Sequence, residues 1–397
     1  MNNFYKMRKF IIIPAICFSM FNYAQTFVQA YQDRVNQITQ NNINSYLTEF
    51  AAFGVKTTGS ANNNNAFNWL KNKYLAFGYS EAQISENAFS YNGNTTKNLI
   101  LTKTGTKYPN TYVIVCGHYD TIAGPGVNDN GSGTSIILEM ARILKDVPTE
   151  YSIKFINFTG EEQGLRGSQN YVNTVVNGTN PKMNIKLVFN IDQVGGVAGE
   201  VNNTITCERD TSNSPSTNNA ASNTVTQELM NCVTLYSPLQ TNLSYAYGSD
   251  YMPFQSNGEV ITGFYEYNES SQPHSSGDTY ANMDPVFVYN VAKAALGAVQ
   301  HFTTAETSIL SIADYPPEKM LESLRIFPNP ASNFINIEML NSNFRDYSFN
   351  ITDLSGKLLL NTKNSKKIDI SKLSPGIYFG TMNVEDRKLT KKIIISK

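Results

Sequence analysis

The sequence predicts an α/β architecture: a doubly wound, mostly parallel sheet followed by a small all-β sandwich. Three observations carry this. Between about residues 84 and 303, runs rich in β-branched and aromatic residues alternate with segments of helical apolar period, the pattern of a parallel sheet with helices on both faces. After Thr304 the helical period stops and short strand-like runs are separated by turns, the spacing of a sandwich. Charge shifts at the same place. Residues 318–397 carry 13 Lys and Arg against 8 Asp and Glu, a net +5, which leaves −6 for the rest of a chain totalling −1.

Taken in order, residues 1–24 read as a secretory signal. Lys6, Arg8 and Lys9 form a basic head, Phe10 to Phe21 a short apolar run, and Ala24 a small residue before the cut. That run is well short of the ~20 residues a membrane span requires. Residues 27–78 read as helical: Val28, Tyr31, Val35 and Ile38 keep the period, as do Phe67, Leu70, Tyr74 and Phe77. The asparagine tract 62–65 is a polar helix start or a loop. Strands follow at 84–91, 97–103 and 112–117, a helix at 135–145, a strand at 152–158, a helix at 168–176 and a strand at 185–191. Then come a helix at 218–236, a strand at 259–264 and a closing helix at 285–303. Pro316-Pro317 marks 306–322 as a linker. Seven short strands are expected between 324 and 395. The expected domains are therefore 25–305 and 323–397.

The near-neutral charge gives no reason to expect a nucleic-acid partner. Of the 4 cysteines, Cys17 leaves with the signal and Cys116 reads as a buried thiol. Cys207 and Cys232 could pair in an oxidising compartment, a question the spacing leaves open.

Histidine is scarce, with 3 in the chain. His118 ends a strand in H-Y-D, with Asp120 placed to hold its second ring nitrogen. His274 lies in P-H-S-S-G-D-T, with Asp278 as the acid of that loop. His301, on the last helix, reads as a packing residue. Asp129 sits in V-N-D-N-G-S-G, Glu161 and Glu162 in F-T-G-E-E-Q-G, and Asp192 in F-N-I-D-Q-V-G. Each of these follows a strand, where open α/β sheets collect their ligands. His118, Asp129, Glu162, Asp192 and His274 form a nitrogen and oxygen donor set without thiolate. It is too rich for one catalytic zinc, which takes three protein ligands. It suits two ions sharing a carboxylate, about 3.5–4 Å apart. Glu161, beside a ligand, is then placed to act as general base.

In order and spacing, H-x-D, N-D-x-G-S-G, G-E-E-x-G-L-x-G-S, N-x-D-x-x-G and H-x-x-x-D-T resemble the secreted di-zinc aminopeptidases. Their clan also holds glutaminyl cyclases, glutamate carboxypeptidases and the transferrin receptor ectodomain. The resemblance covers about residues 27–305. It implies two Zn2+ ions, one held by His118 and Asp192 and the other by Glu162 and His274, with Asp129 shared and Glu161 as the base. It implies a cis peptide between Asp129 and Asn130. It also implies peptide or protein substrates with a free N-terminus, cleaved by an exopeptidase acting as a monomer. The segment G-S-D-Y-M-P-F matches too, although relatives carry histidine where Tyr251 stands. A substrate-contacting tyrosine of the family has Tyr245 or Tyr247 as its counterpart. The ligand set is shared with cyclases and carboxypeptidases, so those activities stay open. A dead-site binding protein is the reading of another class, but such relatives lose ligands and this chain keeps them. The tail motifs I-F-P-N-P-A-S-N, D-L-S-G-K, L-S-P-G-I-Y-F and K-K-I-I-I-S-K resemble the C-terminal sorting domain of the bacterial type IX secretion system. They imply an outer-membrane secretion machinery as partner, and a secreted or cell-surface location.

Overall fold

The computed structural model describes residues 25–210, 214–307, 324–339, 347–384 and 387–396. The expected signal segment and most of the expected linker lie outside these residues.

The N-terminal region forms three helices, α1 (Gln29–Val35), α2 (Gln40–Ala51) and α3 (Ala61–Ala76). Side-chain caps set two of the starts: Thr39 accepts from the Asn42 amide and Ser60 from that of Asn63. The asparagine tract is therefore the first turns of α3. The central sheet has eight strands, β1 (Ile84–Tyr91), β2 (Asn94–Lys103), β3 (Tyr108–His118), β4 (Tyr151–Phe158), β5 (Asn184–Ile191), β6 (Thr204–Arg209), β7 (Gln240–Tyr245) and β8 (Ile261–Glu266), in the order β1-β2-β4-β3-β5-β8-β6-β7. The inner block β4-β3-β5-β8 is parallel. Antiparallel pairing is confined to the flanks, at β1 with β2, β2 with β4, and β6 with β8.

Strand alternation shows the double winding directly. Val113 and Val115 of β3 join one buried core with α4 (Gly131–Leu144), α6 (Asn219–Tyr236) and α8 (Pro285–Phe302). Ile114 and Cys116, pointing the other way, join a second core with α5 (Arg166–Tyr171) and α7 (Met252–Ser256). The helix α8 is buried along most of its length and is capped by Asp284, which accepts from the amides of Val286 and Phe287.

Two expectations change, and one open question is answered. The strands β6 and β7 fall where none was expected, because short polar segments without an apolar run carry little strand signal. The helix expected at 168–176 is α5 followed by a π turn at 172–176. Cys207 and Cys232 are both buried free thiols, with no disulfide between them.

The C-terminal region has its own core, built from Leu324, Ile335, Phe349, Ile351, Met382 and Ile393 among others. The strands β9 (Leu324–Phe327), β10 (Phe334–Met339) and β13 (Lys367–Asp369) form one antiparallel sheet. The strands β11 (Ser348–Thr352), β12 (Leu358–Lys363), β14 (Gly376–Val384) and β15 (Arg387–Ile395) form the other. A Cβ on Gly380 would lie 2.6 Å from Phe349 of the neighbouring strand and 3.3 Å from Ile326 of the other sheet, so a glycine there leaves room for both side chains. Among the described residues, no helix is long and apolar enough to cross a membrane.

Candidate metal centre

The parallel register brings three strand ends level. His118 pairs with Phe158, three residues before Glu161, while Cys116 pairs with Asn190, two before Asp192. The fourth carboxylate comes from the turn into α4. There the Asp129–Asn130 peptide is cis, as the resemblance implies. Asn130 caps α4 by accepting from the Gly133 amide, and its own amide group donates to the Ile191 carbonyl at 2.9 Å. A Cβ on Gly133 would sit 2.2 Å from that carbonyl, which explains the glycine of G-S-G. His274 enters from the loop after β8 with φ of 57°.

These elements bring all five expected ligands together in two groups joined by one residue. The Nε2 of His118 lies 3.1 Å from Asp129 Oδ1 and 3.2 Å from Asp192 Oδ1. The Nε2 of His274 lies 2.9 Å from Glu162 Oε2 and 3.2 Å from Asp129 Oδ2. Asp129 therefore turns one oxygen to each histidine, and both trios have metal-binding spacing. Glu161 stands 4.0 Å from His118 and belongs to neither trio. The donors fit metal ions. Asp192 holds Oδ1 buried without a hydrogen-bond donor, while its Oδ2 accepts from Ser249 at 2.6 Å.

The electrostatics agree with a cation site. Burial, followed by the neighbouring acids, raises Glu161 to about 10. Burial and then Asp129 raise Glu162 to about 8. Burial also pulls His118 down, but Asp192, Asp120 and Asp129 together outweigh it and push the ring well above its ordinary value. The hydrogen bond to Asp129 raises His274 to about 9. The carboxylate shifts reflect acids buried together without the positive charge that a divalent ion would supply.

The supporting acids act largely through backbone groups. Asp120 meets the Nδ1 of His118 through its backbone carbonyl, at 3.1 Å, with its carboxylate at 3.6 Å. That carboxylate accepts from the backbone amides of Glu161 and Glu162, both at 3.3 Å, and so sets the turn carrying them. Asp278 accepts from the amides of Asn128 and Asp129, at 2.7 and 3.0 Å. It orients the shared aspartate and makes no bond to His274. His301 packs edge-on against Tyr31 and bonds to Tyr236, away from the site.

A cavity of ≈ 370 Å³ opens from Asp129, Glu161, Asp192 and His274. Tyr247 lines it; Tyr245 does not, its ring instead lying under Arg209 and its hydroxyl accepting from that guanidinium. The far wall holds Tyr251, Glu208, Tyr265 and Glu269. The hydroxyl of Tyr251 accepts from the Tyr247 amide at 3.0 Å and donates to Glu208 at 2.7 Å. A Cβ on Gly263 would lie 2.7 Å from the Tyr251 ring, so the glycine admits that pair. Glu208 went unrecognised in the sequence because a lone acid in T-I-T-C-E-R-D carries no motif.

A family model described as peptidase family M28 matches residues 98–299, just over half of the chain. A second, described as a secretion system C-terminal sorting domain, matches residues 325–396. Aminopeptidase YwaD of Bacillus subtilis (strain 168) is 43% identical over 118 residues, covering 29% of this chain and 25% of that protein. A "Probable zinc metalloprotease" of Pyrenophora tritici-repentis is 31% identical over 196 residues, covering 43% of this chain and 44% of that protein. The chain thus spans less than half the length of these curated relatives. Among solved structures, the LapA aminopeptidase of Legionella pneumophila superposes with a TM-score of 0.61 at 20% identity, over 75% of this chain and 80% of that one, which establishes the shared fold.

Proposed function

The chain belongs to peptidase family M28, and from that premise we propose that it is a secreted two-zinc aminopeptidase releasing N-terminal residues from peptides. The observation that carries this reading is Asp129, whose two oxygens face two histidines, one each. One zinc would take His118 and Asp192, the other Glu162 and His274, with Asp129 shared. When bound, the ions polarise the scissile carbonyl and lower the pKa of the attacking water.

The chain's own residues supply the rest. Glu161, free of both trios, takes the proton of the water and returns it to the leaving amine. The Glu161–Glu162 turn is held by Asp120, and Asp129 is oriented by Asp278, so base and ligands stay in fixed register. Asp192 is anchored by Ser249. Tyr247 faces the cavity with its backbone fixed by Tyr251, positioned to meet the substrate carbonyl.

Residues 25–305 form the catalytic domain, 306–322 the linker and 323–397 the sorting domain. Residues 1–24 leave at the inner membrane. The tail engages the outer-membrane secretion machinery and is removed, so the enzyme acts outside the cell or at its surface.

Metal analysis of the purified enzyme should give two zinc ions per chain. Peptides with a free α-amine should be cleaved, and the same peptides acetylated should not. One zinc per chain would favour a cyclase-like activity, and equal turnover of the blocked peptide would exclude an aminopeptidase.

A further inference from the structure

The aromatic wall of the cavity has a chemistry that the metal site does not use. Three lining carboxylates, Asp129, Glu161 and Asp192, belong to the metal end. Two remain, Glu208 and Glu269. Glu208 is 3% exposed, sits on β6, accepts from the Tyr251 hydroxyl and lines the cavity. Glu269 lies on the exposed loop after β8 and accepts from the hydroxyl of Tyr265 at 3.0 Å. Among the described lining residues there is no lysine or arginine. The nearest cation in sequence, Arg209, is engaged elsewhere, by Asn223 and Tyr245. Tyr247 and Tyr265 meet edge to face with centroids 5.3 Å apart and offer aromatic surface between the two acids.

We propose that this wall receives the side chain of the substrate's first residue and selects a long cationic one, lysine or arginine, with Glu208 and Glu269 as the specificity-determining residues. The proposal rests on the aminopeptidase reading and extends it. A lysine or arginine stem lies along the tyrosines, where its charge gains from the aromatic faces and reaches the acids. A leucine gains the apolar contact alone and leaves both carboxyls without a counter-charge. Burial, the first cause, raises Glu208 to about 8, and a guest cation restores the charge that burial opposes. A first-residue glutamate sets its carboxylate against both acids and offers neither of them a counter-charge.

The test uses the zinc-loaded mature enzyme and fluorogenic amides of lysine, arginine, norleucine, leucine and glutamate. Norleucine controls for length. The expected kcat/KM for lysine and arginine exceeds that for norleucine ~10-fold or more, as a charge-assisted contact implies, with glutamate lowest. E208Q and E269Q should each narrow the lysine-to-norleucine ratio, E208Q more, because an exposed ion pair is screened. Calorimetric binding of lysinamide and norleucinamide to zinc-loaded E161Q gives a second readout independent of turnover, and lysinamide should bind tighter. Norleucine equal to or better than lysine in both assays overturns the proposal. So does a ratio that neither variant moves. If no free amine is hydrolysed, the aminopeptidase reading fails, and the binding comparison still decides the wall's preference.

Discussion

The cavity has two walls that are built in different ways. The metal wall is made where parallel strands end. His118, Glu162 and Asp192 come from β3, β4 and β5 in register, and Asp129 comes from the turn that caps α4. Its groups are ionisable and crowded within about 3 Å, and His118, Asp129, Glu162 and Asp192 are each held by a second hydrogen bond or a backbone clamp. The other wall is made by the antiparallel flank of the sheet and the loops around it. There Tyr251 and Glu208 pair over Gly263, and Tyr247 and Tyr265 stack edge to face. The first wall has one workable arrangement, since an ion site demands a fixed count and geometry of donors. The second has many, since a pocket needs only shape and a balance of charge. Changes on the metal wall should therefore abolish the reaction, and changes on the other should redirect it.

The sharpest way to break this contrast is Asp129→Ala. Because one carboxylate faces both histidines, its loss should empty both sites, remove more zinc by elemental analysis than any other single ligand change, and leave no measurable hydrolysis. Retention of one full zinc equivalent would mean that the two trios do not share Asp129.

Next in size is Glu161→Gln. Glu161 is outside both trios, so zinc content should stay at the wild-type value while kcat falls by ~10²–10⁴, the usual worth of a general base. Loss of zinc in this variant, or an unchanged rate, would reverse the assignment of the two adjacent glutamates.

The same contrast governs what could be read from the sequence. His118, Asp129, Glu161, Glu162, Asp192 and His274 follow strands or sit in glycine-marked turns, and those local signals are enough to gather them at one end of a sheet. What Asp120 and Asp278 do was less legible. Each lies near a histidine in sequence, yet their carboxylates serve backbone amides of other loops, a relation created only by the tertiary fold. Glu208 was illegible, because its place depends on β6 pairing with β8, and β6 lacks an apolar run. The alternation of β3 was readable, while the antiparallel flanks were not, since pairing direction is set by the connections and not by side-chain pattern.

A smaller effect separates the walls by pH. In the fold Glu208 titrates at about 8, mainly through burial, against an unfolded value near 4.5. A folded pKa above the unfolded one means that the folded state binds the extra proton between these two values. Its stabilising contribution is complete below about 4.5 and is lost as pH rises through about 8. Glu208→Gln keeps a neutral group of the same size and should escape that loss. Its melting temperature relative to wild type should climb between pH 5 and 8 and then level off, measured with zinc saturating. A difference that stays flat across this range would mean that Glu208 is ionised and paired in the fold.

The smallest effect belongs to the C-terminal sandwich, which contributes to neither wall. Its core is made from its own residues, from Leu324 to Ile395, and among the described residues no cavity-lining residue lies beyond His274. A domain with its own core should survive the loss of another across a linker. A chain ending at Ala313 should therefore keep its zinc content and its kcat/KM for the best substrate, and should unfold in one transition where the full chain shows two. The charge shift and the sorting-domain match assign the tail to export, so the same truncation in the native host should leave the enzyme active but retained in the periplasm. Mass measurement of the extracellular enzyme from the intact gene should find a species without the sandwich. A secreted species still ending at Lys397 would turn the tail from an address into a working part at the cell surface. The two walls would then be only part of what this molecule presents to a substrate.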